Sequence, residues 1–138
     1  MITQDYMNQV IDAVHVVKNF VSESQLEAMG DGIRGEEGEF FARTFVELAR
    51  QLTDMPKVYE QDGKGDDAIV YLHYFRGNMD WYITERDFEL DEQIQAFGLA
   101  DLGMGSPELG YISIEELTDA GVELDLHWTP KTLAEVKA

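Results

Sequence analysis

The spacing of the apolar residues changes once along the chain, near Met55-Pro56, and this change limits the fold more than any other feature. Before it, apolar side chains recur every three or four residues, which is the spacing of an amphipathic helix. After it, short runs rich in β-branched and aromatic residues alternate with turns, which is typical of strands. The sequence therefore predicts an α+β fold, in which N-terminal helices pack against a mostly antiparallel sheet of about five strands, with the helices on one face.

The 138 residues are expected to form a single domain, with a helical part over residues 1–55 and a sheet-rich part over residues 56–138. Three helices are predicted in the first part, over residues 3–21, 22–30 and 36–53, with a loop at 31–35. Strands are predicted over residues 57–61, 68–75, 80–86, 93–101, 108–113 and 122–128. Capping boxes beginning at Ser113 and Thr132 predict two short helices in the second part.

A glycine-rich segment, FGLADLGMGSPELGYI at residues 97–112, has the look of a ligand-binding loop. Its glycines match neither the dinucleotide fingerprint nor the P-loop, and no basic residue lies between Arg86 and Lys131 to attract a phosphate. Gly105 and Pro107 instead suit a turn, because glycine adopts positive φ and proline fixes φ. We therefore expect two strands joined by a tight turn.

The charge of the chain is unusual: it has 28 acidic and 10 basic residues, which gives a net charge of −18. Residues 80–125 hold 13 of the acids and a single base, Arg86. Such a charge repels nucleic acid and anionic membranes, so neither is an expected partner. With no cysteine, no long apolar run and no recognisable signal peptide at its start, the chain is expected to be cytoplasmic.

The concentration of acids in the strand region predicts an interaction surface. Carboxylates two residues apart on a strand lie about 6.6 Å from each other, a distance comparable to that between phosphates along a nucleic-acid strand. The expected partner is the basic surface of a nucleic-acid-binding host protein, and no catalytic residue or cofactor is expected. The predicted partner-binding residues are Asp80, Glu85, Asp87, Glu89, Asp91, Glu92, Glu123 and Asp125.

An alternative is a metal- or small-ligand-binding protein, or a hydrolase, that uses clustered carboxylates and His127. Asp125 and His127 are predicted to share the outward face of one strand, close enough to chelate a cation. Asp101, Glu108 and Glu123 would complete such a site. A solvated acidic face would account for the same residues without any metal. A third interpretation of the chain is an oligomeric accessory protein.

Four sequence blocks occur in order: WYITE at 81–85, FGLADLG at 97–103, PELGYIS at 107–113 and LDLHW at 124–128. Over residues 68–136 the chain resembles a bacterial domain-of-unknown-function family of small acidic proteins carried on plasmids, conjugative elements and phages. The resemblance implies no catalytic residue. It implies a mobile-element setting, in which acidic mimics of DNA block host defences such as restriction or CRISPR systems.

Overall fold

The structure is a computed structural model that describes residues 2–138. The N-terminal part contains three helices, α1 (Gln4–Val17), α2 (Glu23–Arg34) and α3 (Gly38–Asp54). Thr3 caps α1 by accepting a hydrogen bond from the Tyr6 N–H at 3.2 Å. None of the described helices is both long enough and apolar enough to cross a bilayer.

The first two helices end at positions other than those predicted. Helix α1 stops at Val17 rather than residue 21, because the Asn19 side chain donates to the His15 carbonyl oxygen and competes with the helical pattern. Helix α2 runs on through the predicted loop at 31–35 to Arg34. Gly32 lies within this helix, and a Cβ at this position would be 2.4 Å from the Phe41 ring of α3. The glycine thus allows two helices to approach closely and does not mark a loop.

The second part forms a five-stranded antiparallel sheet, which confirms the predicted α+β class. Its strands are β2 (Leu72–Arg76), β3 (Met79–Glu85), β4 (Ala96–Asp101), β5 (Glu108–Ile112) and β6 (Glu123–Leu124), in the order β5-β4-β3-β2-β6. A small second sheet pairs β1 (Ile69–Val70) with β7 (Lys131–Thr132). The short helices are α4 (Ile114–Asp119), α5 (Leu133–Lys137) and a 3-10 turn at Gly65–Asp67.

Four strand predictions are wrong in extent or kind. The strand predicted over residues 93–101 begins later, at Ala96. Lys57 forms only an isolated parallel bridge with Arg86, and residues 58–61 form turns, because Tyr59 adopts φ = 78°, which no strand accommodates. The run 68–75 divides at Tyr71, so that β1 pairs with β7 while β2 pairs with β3. The predicted strand at 122–128 ends at Leu124, since the Asp125 carboxylate accepts the His127 N–H at 2.9 Å and turns the chain.

The main core lies between the three long helices and the inner face of the sheet. Alternate residues of β2 and β3, namely Leu72, Tyr74 and Ile83, are completely or almost completely buried there, against Phe20 and Phe45. Burying each aliphatic or phenyl side chain of this size contributes about 1.5–3 kcal/mol to folding. The helical part therefore covers the centre of one face of the sheet, and Glu108 at the edge of that face stays exposed.

The opposite, outer face is partly covered by a thin second layer that the sequence did not predict. Strands β1 and β7 and helix α5 enclose a small second core of Ala68, Val70, Leu99 and Leu133. The Trp128 indole N–H donates to the Val70 carbonyl oxygen at 3.0 Å and closes this layer. The cover lies over the middle of the outer face, so side chains remain accessible on both sides of it.

Candidate functional site: an acidic face beside a histidine

The strand register places acidic residues side by side across the outer face. Glu123 pairs with Phe75, Phe75 pairs with Asp80, and Asp80 pairs with Asp101. Directly paired residues of antiparallel strands project from the same face, so these four side chains form one row across β6, β2, β3 and β4. We call Glu123, Asp80 and Asp101 the acidic row. Like charges placed directly opposite each other, as in Asp80 and Asp101, destabilise a sheet.

His73 lies beside the acidic row and contacts two carboxylates. Its Nε2 is 2.7 Å from Asp80 Oδ1, and its Nδ1 is 3.0 Å from Asp125 Oδ2. An ionised carboxylate only accepts, so both contacts are hydrogen bonds only when both ring nitrogens carry protons. The ring also stacks on Tyr82, with centroids 5.0 Å apart and planes 10° apart. The contacts orient Asp80 and Asp125 and hold them on the outer face.

Aromatic side chains surround this cluster. The rings of Tyr82, Phe75 and Trp128 all contact His73, and Phe75 is 36% exposed. Burial, followed by the negative charges of Asp80 and Asp101, raises the pKa of Tyr82. Both members of the like-charge pair therefore act electrostatically on the same phenol. The outer face thus combines carboxylates with partly exposed rings.

Basic side chains do not neutralise this region. Arg86, the single base of residues 80–125, is 3% exposed and donates to the carbonyl oxygens of Leu52, Thr53, Asp87 and Phe88. Lys131 lies 4.6 Å from the Trp128 ring centroid. Across residues 2–138 the ion pairs formed by lysine or arginine include Arg34 with Asp31 and Lys137 with Asp66, and none involves an acid of residues 80–125. The surface charge that this segment displays is therefore negative.

The remaining predicted partner-binding residues are not on the acidic row. Glu89, Asp91 and Glu92 are exposed on the connection between β3 and β4. Asp87, at the start of that connection, accepts the N–H groups of Phe88 and Gln95 at 2.7 and 2.9 Å and so has a local structural role. The structure brings together Asp80, Asp125 and Glu123, and it adds Asp101, which the sequence had suggested only for a metal.

Glu85 must be corrected, because it is 4% exposed and is not displayed at the surface. A register shift between Ile83 and Glu85 changes the alternation at the end of β3. The carboxylate then lies under the 57–65 segment, where Oε1 accepts the Gln61 N–H at 3.1 Å. A simple two-residue period could not reveal either the bulge or the covering segment.

The residues considered for a metal do not converge. Asp125 points to His73, whereas His127 is exposed on the following turn and lines a groove beside Phe40 and Phe41 of α3. Glu108 pairs with Ala100, so it projects from the face opposite to Asp101. Within the described residues, no group of three or more histidine, aspartate or glutamate side chains could hold a metal ion.

Sequence comparison gives one family match. Residues 45–132 match the family described as "Protein of unknown function (DUF2958)". The chain belongs to this family. The DUF2958 match begins within α3 and ends at β7, so it includes the whole sheet, the acidic row and His73. It confirms the resemblance to a family of unknown function. Neither a curated protein nor a solved structure matches the chain significantly.

The sequence did not predict two features of this site, namely the position of His73 beside the acidic row and its contact with Asp125. His73 was not among the predicted site residues, and its two carboxylate contacts were not foreseen. The hairpin turn at residues 77–78 could have predicted part of this arrangement, because it places Phe75 opposite Asp80 and His73 opposite Tyr82. The contact with Asp125 had no local signal, since it joins residues 52 positions apart.

Proposed function

We propose that this chain is a non-enzymatic interaction protein whose acidic outer face binds the basic, nucleic-acid-binding surface of another protein. One observation carries the proposal. Three carboxylates, those of the acidic row, lie on one rigid sheet face in a segment whose single base is buried. A rigid face costs little conformational entropy on binding, and its negative field accelerates the approach of a basic partner.

The spacing of the acids supports mimicry of a nucleic-acid backbone. Neighbouring strands lie about 4.8 Å apart, so Asp80 and Asp101 are one strand spacing apart and Glu123 and Asp80 are two spacings, about 9.6 Å, apart. Carboxylates at these intervals resemble a short series of phosphates. The partly exposed Phe75 ring beside them would contact the apolar stems of the partner's arginine and lysine side chains.

The test is a pull-down from bacterial lysate with matched charge-reversal variants. D101K/E123K reverses the two ends of the acidic row and leaves the carboxylates that contact His73 in place. D12K/E27K changes the net charge equally at exposed positions of α1 and α2. We expect the wild type and the helix variant to retain nucleic-acid-binding proteins, which elute as salt is raised to about 0.5 M, and the face variant to lose them.

Two results would contradict the proposal. One is equal retention by D101K/E123K and the wild type, with both folded by circular dichroism. The other is retention that does not change with salt, because an interface built on surface charge is screened by ions.

A finer version of the proposal is that the partner belongs to a host defence system, such as a restriction or CRISPR nuclease, and that mobile elements carry this protein to block it. The support is the acidic face together with the sequence resemblance described above. The test is transformation of a restriction-positive strain with unmodified plasmid. Expression of the wild type should raise the yield, and D101K/E123K should not. An equal yield with and without the wild type would contradict the finer version.

A further inference from the structure

A second accessible site lies on the other side of the layer that covers the outer face. It is a pocket of about 430 Å³, bounded by the turns at residues 58–65, the ends of β3, β4 and β5, and the start of α5. This volume is within the range of small-ligand sites in proteins. The pocket shares no residue with the acidic row.

The inner part of the pocket is lined by buried residues and contains one carboxylate. Thr84 and Glu85 line it and are 2% and 4% exposed, together with the buried apolar side chains of Val58, Ala68 and Leu133. Glu85 Oε1 accepts the Gln61 N–H at 3.1 Å, and Oε2 lies 3.2 Å from the Thr84 hydroxyl. A carboxylate has about four acceptor positions, so these contacts leave capacity for another donor.

The rim of the pocket is aromatic. The hydroxyls of Tyr59 and Tyr111 lie 2.6 Å apart, and the Phe97 ring meets Tyr111 edge-on with centroids 5.8 Å apart. Both tyrosines are more than half exposed. Tyr59 has φ = 78°, a conformation that is strained for a bulky residue. Strained residues of this kind persist where surrounding contacts enforce them, and they concentrate at ligand sites.

The charge of the lining is negative. Among the described residues that line the pocket, Asp62 and Glu85 are acidic and none is basic. An anionic ligand would therefore meet repulsion. A metal ion would need more carboxylate or imidazole ligands than are present here, and no such group occurs in the described residues. A cation with an apolar stem fits both the buried carboxylate and the aromatic rim, because ring faces attract cations.

We propose that this pocket binds an organic cation, namely an ammonium or guanidinium group on a short alkyl stem. The cationic group donates to Glu85, the stem packs on Leu133 and Val58, and the rings of Tyr59 and Tyr111 close over it. The cation can be a free metabolite or the side chain of a protein. The inference does not depend on the function proposed for the acidic row.

The first experiment is an NMR titration of the wild type with n-butylguanidinium, n-butylammonium and the neutral n-pentanol. We expect saturable shifts at Tyr59, Glu85 and Tyr111 with at least one cation, and at least a tenfold weaker response to the alcohol, about 1.4 kcal/mol. Equal binding of the alcohol would overturn the cation proposal, and so would the absence of binding by both cations.

The source of the cation is distinguished by two further probes, agmatine and N-acetyl-arginine amide. Binding of agmatine alone indicates a free metabolite, because the blocked arginine carries backbone groups on its stem. Binding of both indicates a pocket open enough to take an arginine side chain of a protein.

The matched variants are E85Q and Y111L, with E123Q as the control. Glutamine at residue 85 can still accept from the Gln61 N–H and donate to the Thr84 hydroxyl, so the fold should be retained while the charge is lost. E85Q should weaken cation binding at least tenfold, and Y111L should weaken it several-fold. If E85Q does not fold, the cation affinity of Y111L, a substitution at the exposed rim, still tests the proposal. E123Q removes a charge from the acidic row and should bind the cation as the wild type does. Unchanged affinity in folded E85Q or in Y111L would overturn the proposal.

Discussion

Replacing Asp101 with asparagine should stabilise the protein although it alters the proposed binding face. Asp101 lies directly opposite Asp80 in the β3–β4 register, and their charges act on the same tyrosine. Asp101 Oδ1 accepts the Gly103 N–H at 3.0 Å, a contact that the asparagine side-chain oxygen can also make. The substitution therefore removes the charge and keeps the turn.

The magnitude follows from the cross-strand geometry. Side chains of directly paired residues have Cβ atoms about 5 Å apart, and two unit charges about 6 Å apart in water repel by about 0.7 kcal/mol. Lower local dielectric increases this value, whereas the contact of Asp80 with His73 reduces it. We therefore expect D101N to raise the free energy of unfolding by about 0.5–1 kcal/mol, which is about 2–4 °C in Tm for a chain of this size.

The assay is thermal and urea unfolding at low and high salt. E108Q is the matched control, because Glu108 is an exposed acid on the next strand that projects from the opposite face. D101N should exceed E108Q in stability at low salt, and the difference should disappear near 1 M NaCl, where the Debye length is about 3 Å. Equal stability of the two variants at low salt, or a difference that persists at high salt, would contradict a repulsion between Asp80 and Asp101.

Three further predictions concern the fold. G98A should lower the free energy of unfolding, measured in urea, by about 3 kcal/mol, because its Cβ would lie 2.0 Å from a backbone oxygen of β3. G110A has open space around its Cβ and should change the free energy of unfolding by less than about 1 kcal/mol. Equal effects of the two substitutions would contradict this. Burial raises the pKa of Tyr74 well above 10, so the folded state holds this proton more tightly than the unfolded state and loses stability as pH rises above about 10. The free energy of unfolding, measured from pH 8 to 11, should therefore fall less steeply in Y74F than in the wild type. Parallel curves would contradict this. R86M should cost at least about 3 kcal/mol, because it leaves four buried or partly buried carbonyl contacts unmade. R50M on the exposed side of α3 should be nearly neutral in the same urea assay, and a small effect of R86M would contradict this.

The sequence predicted the elements whose causes are local. The caps at Ser113 and Thr132 and the hairpin formed by β2 and β3 follow from residues within a few positions of one another. The glycine-rich segment is two strands and a turn, as predicted, with Gly103 and Gly105 at φ = 77° and 80°. Short-range periodicity and turn chemistry are sufficient for such elements.

The errors have long-range causes. Gly32 was read as a loop residue, but it lies within α2, where the absence of a side chain leaves room for the Phe41 ring of another helix. Glu85 was read as exposed, but a bulge and the segment containing Gln61 bury it. The pocket joins side chains from turns, strands and a helix, and no single stretch of sequence contains that arrangement. The acidic composition predicted that the exposed face of the sheet is negative. The pairing register of the strands determines which acids lie on that face.

The most direct measurement of the central claim is competition between this protein and duplex DNA for a partner captured by the acidic face. Labelled duplex DNA bound to that partner is titrated with the wild type, with D101K/E123K and with D12K/E27K, and fluorescence anisotropy reports release of the DNA. We expect release by the wild type and by the helix variant, no release by the face variant, and weaker competition as salt is raised. Formation of a ternary complex in which the DNA stays bound, or equal release by D101K/E123K, would contradict it.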